Sequence, residues 1–360
     1  MTFSFGKEFK IHVFGESHGE LIGVTVEGCT PGLEIDTSLI QPDLDKRRPG
    51  AGNLVSSRTE TDTVRIHSGV FQGRATGAPI TMTVLNLDVD SSSYEETRIR
   101  PRPGHADYTS RVKYDGFNDY RGGGVFSGRM TAAFVMAGSI AKVMLRRMGI
   151  EILAHVIQIG PEKVSRDATD QEIRSNAYSS SSRCAVVESA EVMQAEIERA
   201  KRNGDSIGGV VECRILGVPV GYGEPLFDSV ESVIAHAMFS IPGVKGVEFG
   251  SGFRGASLRG SENNDSPTIR DGGIEWTKND AGGVLGGITS GAPVLFRVAF
   301  KPTPSISKQQ STVDLERMEM STLTIGGRHD PCIAPRAVPV VEGLAAVAMT
   351  DFALRSNKRL

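Results

Sequence analysis

The sequence predicts a mixed α+β fold. The N-terminal part reads as a strand over residues 9–14, a glycine-flanked turn and a second strand over 23–27. Apolar residues then recur at helical spacing over 127–148, and Gly149 marks the end of that helix. Another strand is predicted over 209–216. Hairpin-like strands combined with separate long helices are typical of the α+β class.

The remaining elements follow from the same kinds of signal. Apolar runs predict strands over 79–87 and 292–300. Thr169 and Glu172 have the spacing of a capping box, in which each side chain bonds the backbone at a helix start, so a helix is predicted from Thr169. Helical periodicity predicts further helices over 189–202, 228–240 and 339–355.

Two polar segments are predicted to be loops. Residues 88–109 are charged and interrupted by prolines, which is typical of a long functional loop. Residues 45–65 are basic and turn-rich. The arginines of this second segment form either a solvated surface or a clamp for a phosphorylated or carboxylated ligand, since guanidinium groups pair with both.

Composition restricts the class of protein. The chain has 360 residues and a formal net charge of −3, so no bulk positive field recruits nucleic acid or an acidic membrane. The apolar stretches 132–144 and 282–300 are broken by glycines and charges, and neither is expected to span a bilayer. The four cysteines form no Cys-x-x-Cys pair, which argues against disulfides and structural zinc. We therefore expect a cytoplasmic protein without a metal site.

Domain organisation is expected to be simple. No linker-like composition divides the chain, so one domain over 1–360 is predicted. The segments 19–27 and 204–212 resemble each other at an offset of about half the chain. This similarity indicates either an internal repeat, with two related halves sharing one core, or a chance match of a short motif.

Three histidines stand among glycines, prolines and charged residues. His18 lies in the sequence GESHG, His105 in RPGHADYT and His329 in GRHDPC. Such segments form loops, and an imidazole held in a loop is a natural proton donor or acceptor near neutral pH. Asp330, beside Arg328, is a candidate base held by turn geometry, whereas His329 is expected to be structural.

Two motifs allow other interpretations. GESHG also fits the Gly-x-Ser-x-Gly elbow of serine hydrolases, with Ser17 as the nucleophile. An elbow follows a central strand, yet only about one strand is predicted before Ser17, which disfavours a hydrolase. The glycines of 121–124 run into the helix predicted from Ser127, where free N–H groups favour an anion. Close backbone packing explains these glycines equally well.

Taken together, the motifs resemble those of the chorismate synthase family over essentially the whole chain. The resemblance rests on many segments in the same order as in the family, which chance does not produce. They are FGESHG (14–19), DKRRPG (45–50), RPGHADY (102–108), DYRGGG (119–124), GDSIG (204–208), VKGVE (244–248), GGVLGGI (282–288), KPT (301–303) and GRHDPC (327–332).

The resemblance implies a fold, a reaction and partners. Helices are expected to pack between antiparallel sheets in a β-α-β sandwich, and four copies are expected to form a homotetramer. The expected reaction is a 1,4-elimination of phosphate that converts 5-enolpyruvylshikimate 3-phosphate to chorismate. It requires reduced FMN although the net reaction is not a redox change. NADPH is a candidate reductant of the flavin, and no motif decides whether the chain reduces its own flavin.

The resemblance also assigns residues. His18 is expected to protonate the departing phosphate and His105 the reduced flavin, while Asp330 works with the flavin in removing a hydrogen from C6. The residues expected to bind FMN are Ser127, Gly243, Gly286, Lys301, Pro302, Thr303, Pro304, Ser305 and Arg328. Those expected to bind the substrate are Ser17, Arg47, Arg48, Arg129 and Arg328.

Two positions depart from the family pattern. Many relatives carry arginine where this chain has Val125, and some carry arginine where it has Asn53. Each change removes a potential anion contact, so ligand affinity or pose is expected to differ. A module that binds a flavin or an anion without turnover is the non-enzymatic alternative.

Overall fold

The computed structural model describes residues 3–48, 62–87, 91–92, 94–326 and 330–357. Within this part of the chain, two five-stranded antiparallel sheets are accompanied by two-stranded hairpins and by a central set of helices. The fold class is therefore α+β, as the sequence predicted.

The strands are numbered in chain order. The five predicted strands correspond to β2, β3, β7, β10 and β16 below, with ends that differ by at most two residues. The full set is β1 (Ser4–Phe5), β2 (Lys10–Gly15), β3 (Leu21–Glu27), β4 (Arg65–Ile66), β5 (Val70–Phe71), β6 (Arg74–Ala75), β7 (Ile80–Leu85), β8 (Glu151–Ile159), β9 (Glu162–Lys163), β10 (Gly209–Leu216), β11 (Val244–Phe249), β12 (Pro267–Arg270), β13 (Gly273–Trp276), β14 (Val284–Leu285), β15 (Ile288–Thr289), β16 (Val294–Phe300), β17 (Gln309–Asp314) and β18 (Glu319–Thr324).

The helices are numbered in the same way. The predicted helices correspond to α4, α5, α6, α7 and α9, and a 3₁₀ turn over Gly128–Met130 precedes α4. The helices are α1 (Thr37–Arg47), α2 (Tyr94–Ile99), α3 (Asp107–Lys113), α4 (Thr131–Arg147), α5 (Asp170–Asn176), α6 (Val187–Arg202), α7 (Val230–Phe239), α8 (Gly260–Asn263) and α9 (Ala334–Asn357).

The two large sheets enclose the central helices. Their strand orders are β1-β2-β3-β7-β4 and β11-β16-β10-β8-β9. Helix α4 packs on β3 of the first sheet and on β8 of the second, and α9 packs on α4, β8 and β10. Both sheets bury alternate side chains toward these helices, as β16 does with Val294, Phe296, Val298 and Phe300. This is the layered arrangement that the resemblance implied.

The two central helices cross at a pair of glycines. A Cβ atom built on Gly138 of α4 would lie only 2.3 Å from the Cα atom of Gly343 in α9. Real Cβ atoms do not approach another carbon this closely, so any side chain here would push the helices apart. Two glycines therefore set the separation of the helices that fix the centre of the fold.

Both helices are apolar enough to resemble membrane spans. Windows within Gly128–Arg147 and Ala334–Ser356 pass a test of length and hydropathy, but 83% and 94% of these windows are buried inside the protein. A helix that is apolar all round is expected either in a membrane or in the core of a large domain. Burial on this scale identifies them as core helices.

Two of the loop predictions are wrong where helices stand in their place. The segment 88–109 contains α2 and the beginning of α3, two short and mainly polar helices that lack the apolar periodicity on which the prediction depended. The segment 45–65 begins inside α1, whose Asp36 side chain caps the helix by accepting a bond from the Leu39 N–H, while its residues 49–61 lie outside the described residues. Arg47 is thus in the last helical turn.

Helix α9 begins five residues before its predicted start at Pro339. A proline is common in the first turn of a helix, and here Pro335 occupies that place. Pro339 lies four residues later, where its missing N–H removes one bond to the Pro335 carbonyl without ending the helix. The longer helix includes Arg336, which the site uses.

Candidate active site

A cavity of about 610 Å³ opens between the end of α1, the starts of α4 and α9, and the end of β16. This volume is in the range of small-molecule and cofactor sites. It is lined by most of the residues that the sequence predicted: Arg47, Arg48, His105, Ser127, Arg129, Gly243, Lys301, Pro302, Thr303, Pro304, Ser305 and Asp330.

Other predicted residues lie elsewhere. Gly286 is in the turn between β14 and β15 and does not line the cavity. Ser17 and His18 lie just behind the cavity wall, as described below. Arg328 falls outside the residues that the structure describes, and so does Asn53, whereas Val125 lines the cavity.

A buried group of two arginines and one carboxylate, here called the arginine group, forms part of the wall. It consists of Arg47, Arg129 and Asp62, whose side chains are all at most 4% exposed. Arg47 Nη2 donates to Asp62 Oδ2 at 2.9 Å, and Arg129 Nη1 donates to Asp62 Oδ1. Arg129 also donates from Nε to Asn86 Oδ1 at 2.9 Å. Both guanidinium groups are thereby fixed in position.

The pKa values of Arg47 and Asp62 show how the members of the arginine group affect each other. Burial lowers the pKa of Arg47 to about 10, against the attraction of Asp62, and the nearby cations Arg336 and Arg129 also lower it. Burial alone would raise the pKa of Asp62, but Arg47 and Arg129 hold it below its usual range. Arg47 and Asp62 are therefore both charged at neutral pH.

His18 is held against the glycine loop that lines the cavity. Its Nδ1 lies 2.9 Å from Ser91 Oγ, and the edge of its ring meets Tyr94 with 5.1 Å between ring centroids. A Cβ atom on Gly122 would lie 2.2 Å from His18 Cδ2 and 2.7 Å from Ser17 Oγ. Only glycine lets the loop approach this closely, and Gly122 has φ 60°, which also favours glycine.

The turn that carries Ser17 does not have the geometry of a hydrolase elbow. It joins β2 to β3, which are antiparallel neighbours, whereas an elbow joins a strand to a helix. Ser17 Oγ is buried and has no hydrogen-bond partner among the described residues. His18 Nδ1 faces Ser91. The hydrolase interpretation is therefore not supported.

His105 lies on another wall of the cavity. Its Nε2 is 2.7 Å from Ser305 Oγ, so one ring nitrogen is oriented by the strip 301–305. Lys301 Nζ donates to the Gly104 carbonyl at 2.6 Å and ties the same strip to the histidine loop. The other end of the loop is fixed by Arg102, which forms a two-pronged pair with Asp107.

Asp330 is held by an arginine that sequence reasoning missed. Arg336 Nη1 donates to Asp330 Oδ2, and Arg336 Nε donates to the Arg47 carbonyl at 3.2 Å. The side chain of Asp330 is 11% exposed, and both residues line the cavity. Arg336 thus connects the candidate base to the end of α1. Asp62 was missed as well. Neither residue belongs to a motif, and Asp62 meets Arg129, as Arg336 meets Arg47, only through the folding of the chain.

These features define a class of protein. A buried group with two arginines, an oriented imidazole on the cavity wall, a second imidazole just behind it and a buried carboxylate are the parts of an enzyme that binds an anionic small molecule and moves protons. The family model of chorismate synthase matches residues 9–354. The chain belongs to the chorismate synthase family, and it is a carbon–oxygen lyase of the shikimate pathway.

Individual relatives agree with this assignment. The chain is 54% identical to the chorismate synthase of Korarchaeum cryptofilum over 98% of each chain. It is 49% identical to that of Dehalococcoides mccartyi, over 99% of this chain and 98% of the relative. A solved structure, "Crystal Structure of Chorismate Synthase", superposes with a TM-score of 0.77 at 28% identity, and the match covers 98% of this chain and 93% of the other.

Proposed function

We propose that the cavity binds 5-enolpyruvylshikimate 3-phosphate beside reduced FMN and eliminates phosphate to give chorismate. The observation that carries this proposal is the placement of two buried arginines, Arg47 and Arg129, on the wall of the cavity that also holds His105 and Asp330. A ligand with a phosphate and two carboxylates offers the anionic groups with which guanidinium cations pair. Arg48, whose side chain is 35% exposed and lies 3.1 Å from Asp45, adds a cation at the rim.

The residues present fit a flavin. Thr303 Oγ1 is buried without a hydrogen-bond partner in the described part of the chain, so the strip 301–305 offers an unused polar contact. Apolar side chains on the same wall, among them Phe126 and Ile333, suit a planar ring system. Ser127, Gly243 and the strip 301–305 would hold the FMN. When bound, the reduced flavin supplies an electron transiently to the substrate.

The protein side chains would move the protons. The bond between C3 and the phosphate oxygen breaks with its electron pair on the phosphate, and His18 would donate a proton to that leaving group. His105 keeps a ring nitrogen of the flavin protonated. Asp330 assists the loss of hydrogen from C6 by accepting a proton. Water and oxygen would have to be kept from the reduced cofactor, because exposed reduced flavin is oxidised by oxygen.

Further expectations on assembly belong to the same proposal. We infer a homotetramer from the family resemblance, and large apolar side chains such as Phe117, Phe227 and Phe253, at least 84% exposed in the single chain, are available for contacts between copies. One domain over 1–360 is supported by α4, which packs on strands of both large sheets. The site of action is expected to be the cytoplasm.

An anaerobic assay tests the function. With dithionite-reduced FMN, chorismate should form from 5-enolpyruvylshikimate 3-phosphate, and Asp330→Asn should lower kcat while FMN affinity changes little. Tight FMN binding without turnover under these conditions would indicate a flavin-binding module instead. An aerobic repeat with NADPH and FMN alone then decides whether the protein reduces its own flavin.

A further inference from the structure

Lys245 enters the cavity from an irregular position in the second sheet. In the pairing of β11 with β16, Val244 faces Phe300 and Gly246 faces Ala299, so Lys245 is an extra residue without a partner in the register. This is a β-bulge, a device that redirects a side chain and is often found beside active sites. Lys245 lines the cavity.

A second lysine lies on the neighbouring strand end. The Lys301 N–H donates to the Gly243 carbonyl at 2.9 Å, which joins the backbone just before the bulge to the end of β16. Burial lowers the pKa of Lys301, and the positive charge of Lys245 lowers it further. The two ammonium groups are therefore close enough to repel each other inside one cavity.

Neither charge is balanced within the described residues. Lys301 Nζ donates to the neutral Gly104 carbonyl, and no described carboxylate lies within 4.0 Å of either lysine nitrogen. The hydroxyl of Thr303 is buried on the same strip and lacks a partner there. Two cations and an unused hydroxyl donor match the charge and the three acceptor oxygens of a phosphate dianion.

We propose that Lys245, together with Lys301 and Thr303 Oγ1, binds a phosphate dianion. This inference rests on the proposed function, which brings two such groups into the cavity, the 5′-phosphate of the flavin and the phosphate of the substrate. The bulge accounts for the direction of this side chain. In a regular strand, successive side chains alternate between the two faces of the sheet, and the extra residue Lys245 interrupts that alternation. The repulsion between the two lysines is relieved when the dianion binds.

Flavin titrations of Lys245→Met test the assignment. Methionine keeps the length of the side chain and removes its charge, and Lys163→Met, at an exposed position on β9 outside the cavity, is the matched control. Binding of FMN and of riboflavin, which lacks the phosphate, is followed by the quenching of flavin fluorescence. We expect Lys245→Met to weaken FMN binding about tenfold or more, as for one lost charged contact, without changing riboflavin binding.

The remaining outcomes separate the two phosphates. Unchanged FMN binding with about a tenfold rise in KM for the substrate at constant kcat would assign the site to the substrate phosphate. Lys245→Arg, which keeps the charge, should retain most of the affinity in either case. If both FMN binding and KM equal those of Lys163→Met, the inference is wrong. The binding of riboflavin and FMN is measured without turnover. A negative result for Lys245 therefore does not depend on whether the wild type forms chorismate.

Discussion

Two ionic groups include residues of α1, and they differ in their position relative to the large cavity. The arginine group of Arg47, Arg129 and Asp62 has two cations and one anion. The second, here called the lysine group, contains Lys46, Lys142, Asp43 and Glu342, with two cations and two anions. Both connect α1 to the α4 region, but only the first lines the large cavity.

The difference indicates which group serves a ligand. In the lysine group, Lys142 Nζ lies 3.2 Å from Asp43 and 2.7 Å from Glu342, and these two carboxylates hold the pKa of Lys142 above its usual range despite burial. Its charges are complete without a ligand. The cations of the arginine group, by contrast, line the large cavity, where an anion can reach them. Access to this cavity, rather than burial or the number of ion pairs, distinguishes the binding site from the structural group.

The largest effect is expected from Lys142→Met. This substitution leaves Glu342 buried without its cation, and an uncompensated buried charge typically costs about 3–5 kcal/mol of unfolding free energy. Urea denaturation should show this loss, while kcat of the folded enzyme stays near the wild-type value. Adding Glu342→Gln removes the orphaned charge, so the double variant should recover part of the stability. No recovery would argue that packing, not charge, makes the lysine group important.

Replacing His18 or His105 should lower the rate of the reaction in the large cavity. His18→Ala and His105→Ala are each expected to lower kcat by about 10²-fold or more, the usual scale for a general acid or base. His18 is 6% exposed, so its removal should also cost some stability, whereas His105 is less deeply buried. Single-turnover kinetics with reduced FMN measure the effect. If a variant kept near-normal turnover, the replaced histidine would not have the role assigned to it.

Acid should weaken the lysine group at a defined pH. Burial tends to raise the pKa of Asp43, but Lys142 and Lys46 lower it from 3.8 to about 2. Stability from this carboxylate is therefore present above pH 3.8 and is lost as the pH falls toward 2, by about 2 kcal/mol. The stability difference between wild type and Asp43→Asn should shrink over that interval. A constant difference from pH 5 to 2 would contradict the shift.

The smallest effect is expected from Arg129→Met. Asp62 remains paired with Arg47 at 2.9 Å, so this carboxylate keeps a cation and the variant should lose less stability than Lys142→Met. KM for the phosphorylated substrate should rise about tenfold, or about 1.4 kcal/mol. Steady-state kinetics and urea denaturation on the same preparations make the comparison. If Arg129→Met and Lys142→Met lost equal stability and KM of Arg129→Met stayed at the wild-type value, both ionic groups would be structural.

The comparison also shows what the sequence could and could not reveal. Long periodic elements were predicted well, and β10 has the predicted bounds. The motif residues His105, Arg47 and Asp330 do meet at one cavity. Asp62 and Arg336 were missed because their partners are chosen by the packing of α1, α4 and α9, which no local pattern encodes. The internal repeat stays a prediction, although its two segments lie in or at the central strands β3 and β10 of the two sheets.

The close crossing of α4 and α9 at Gly138 and Gly343 affects how the enzyme tolerates mutation. Helix α9 carries Arg336 near its start, and Arg129 lies in the turn just before α4. The distance between the two helices therefore sets the distance between these two arginines. A single added methyl group at Gly138 would meet the Gly343 backbone at 2.3 Å. A genetic selection for loss of activity should therefore recover these glycines together with the cavity residues, although neither touches the ligand site.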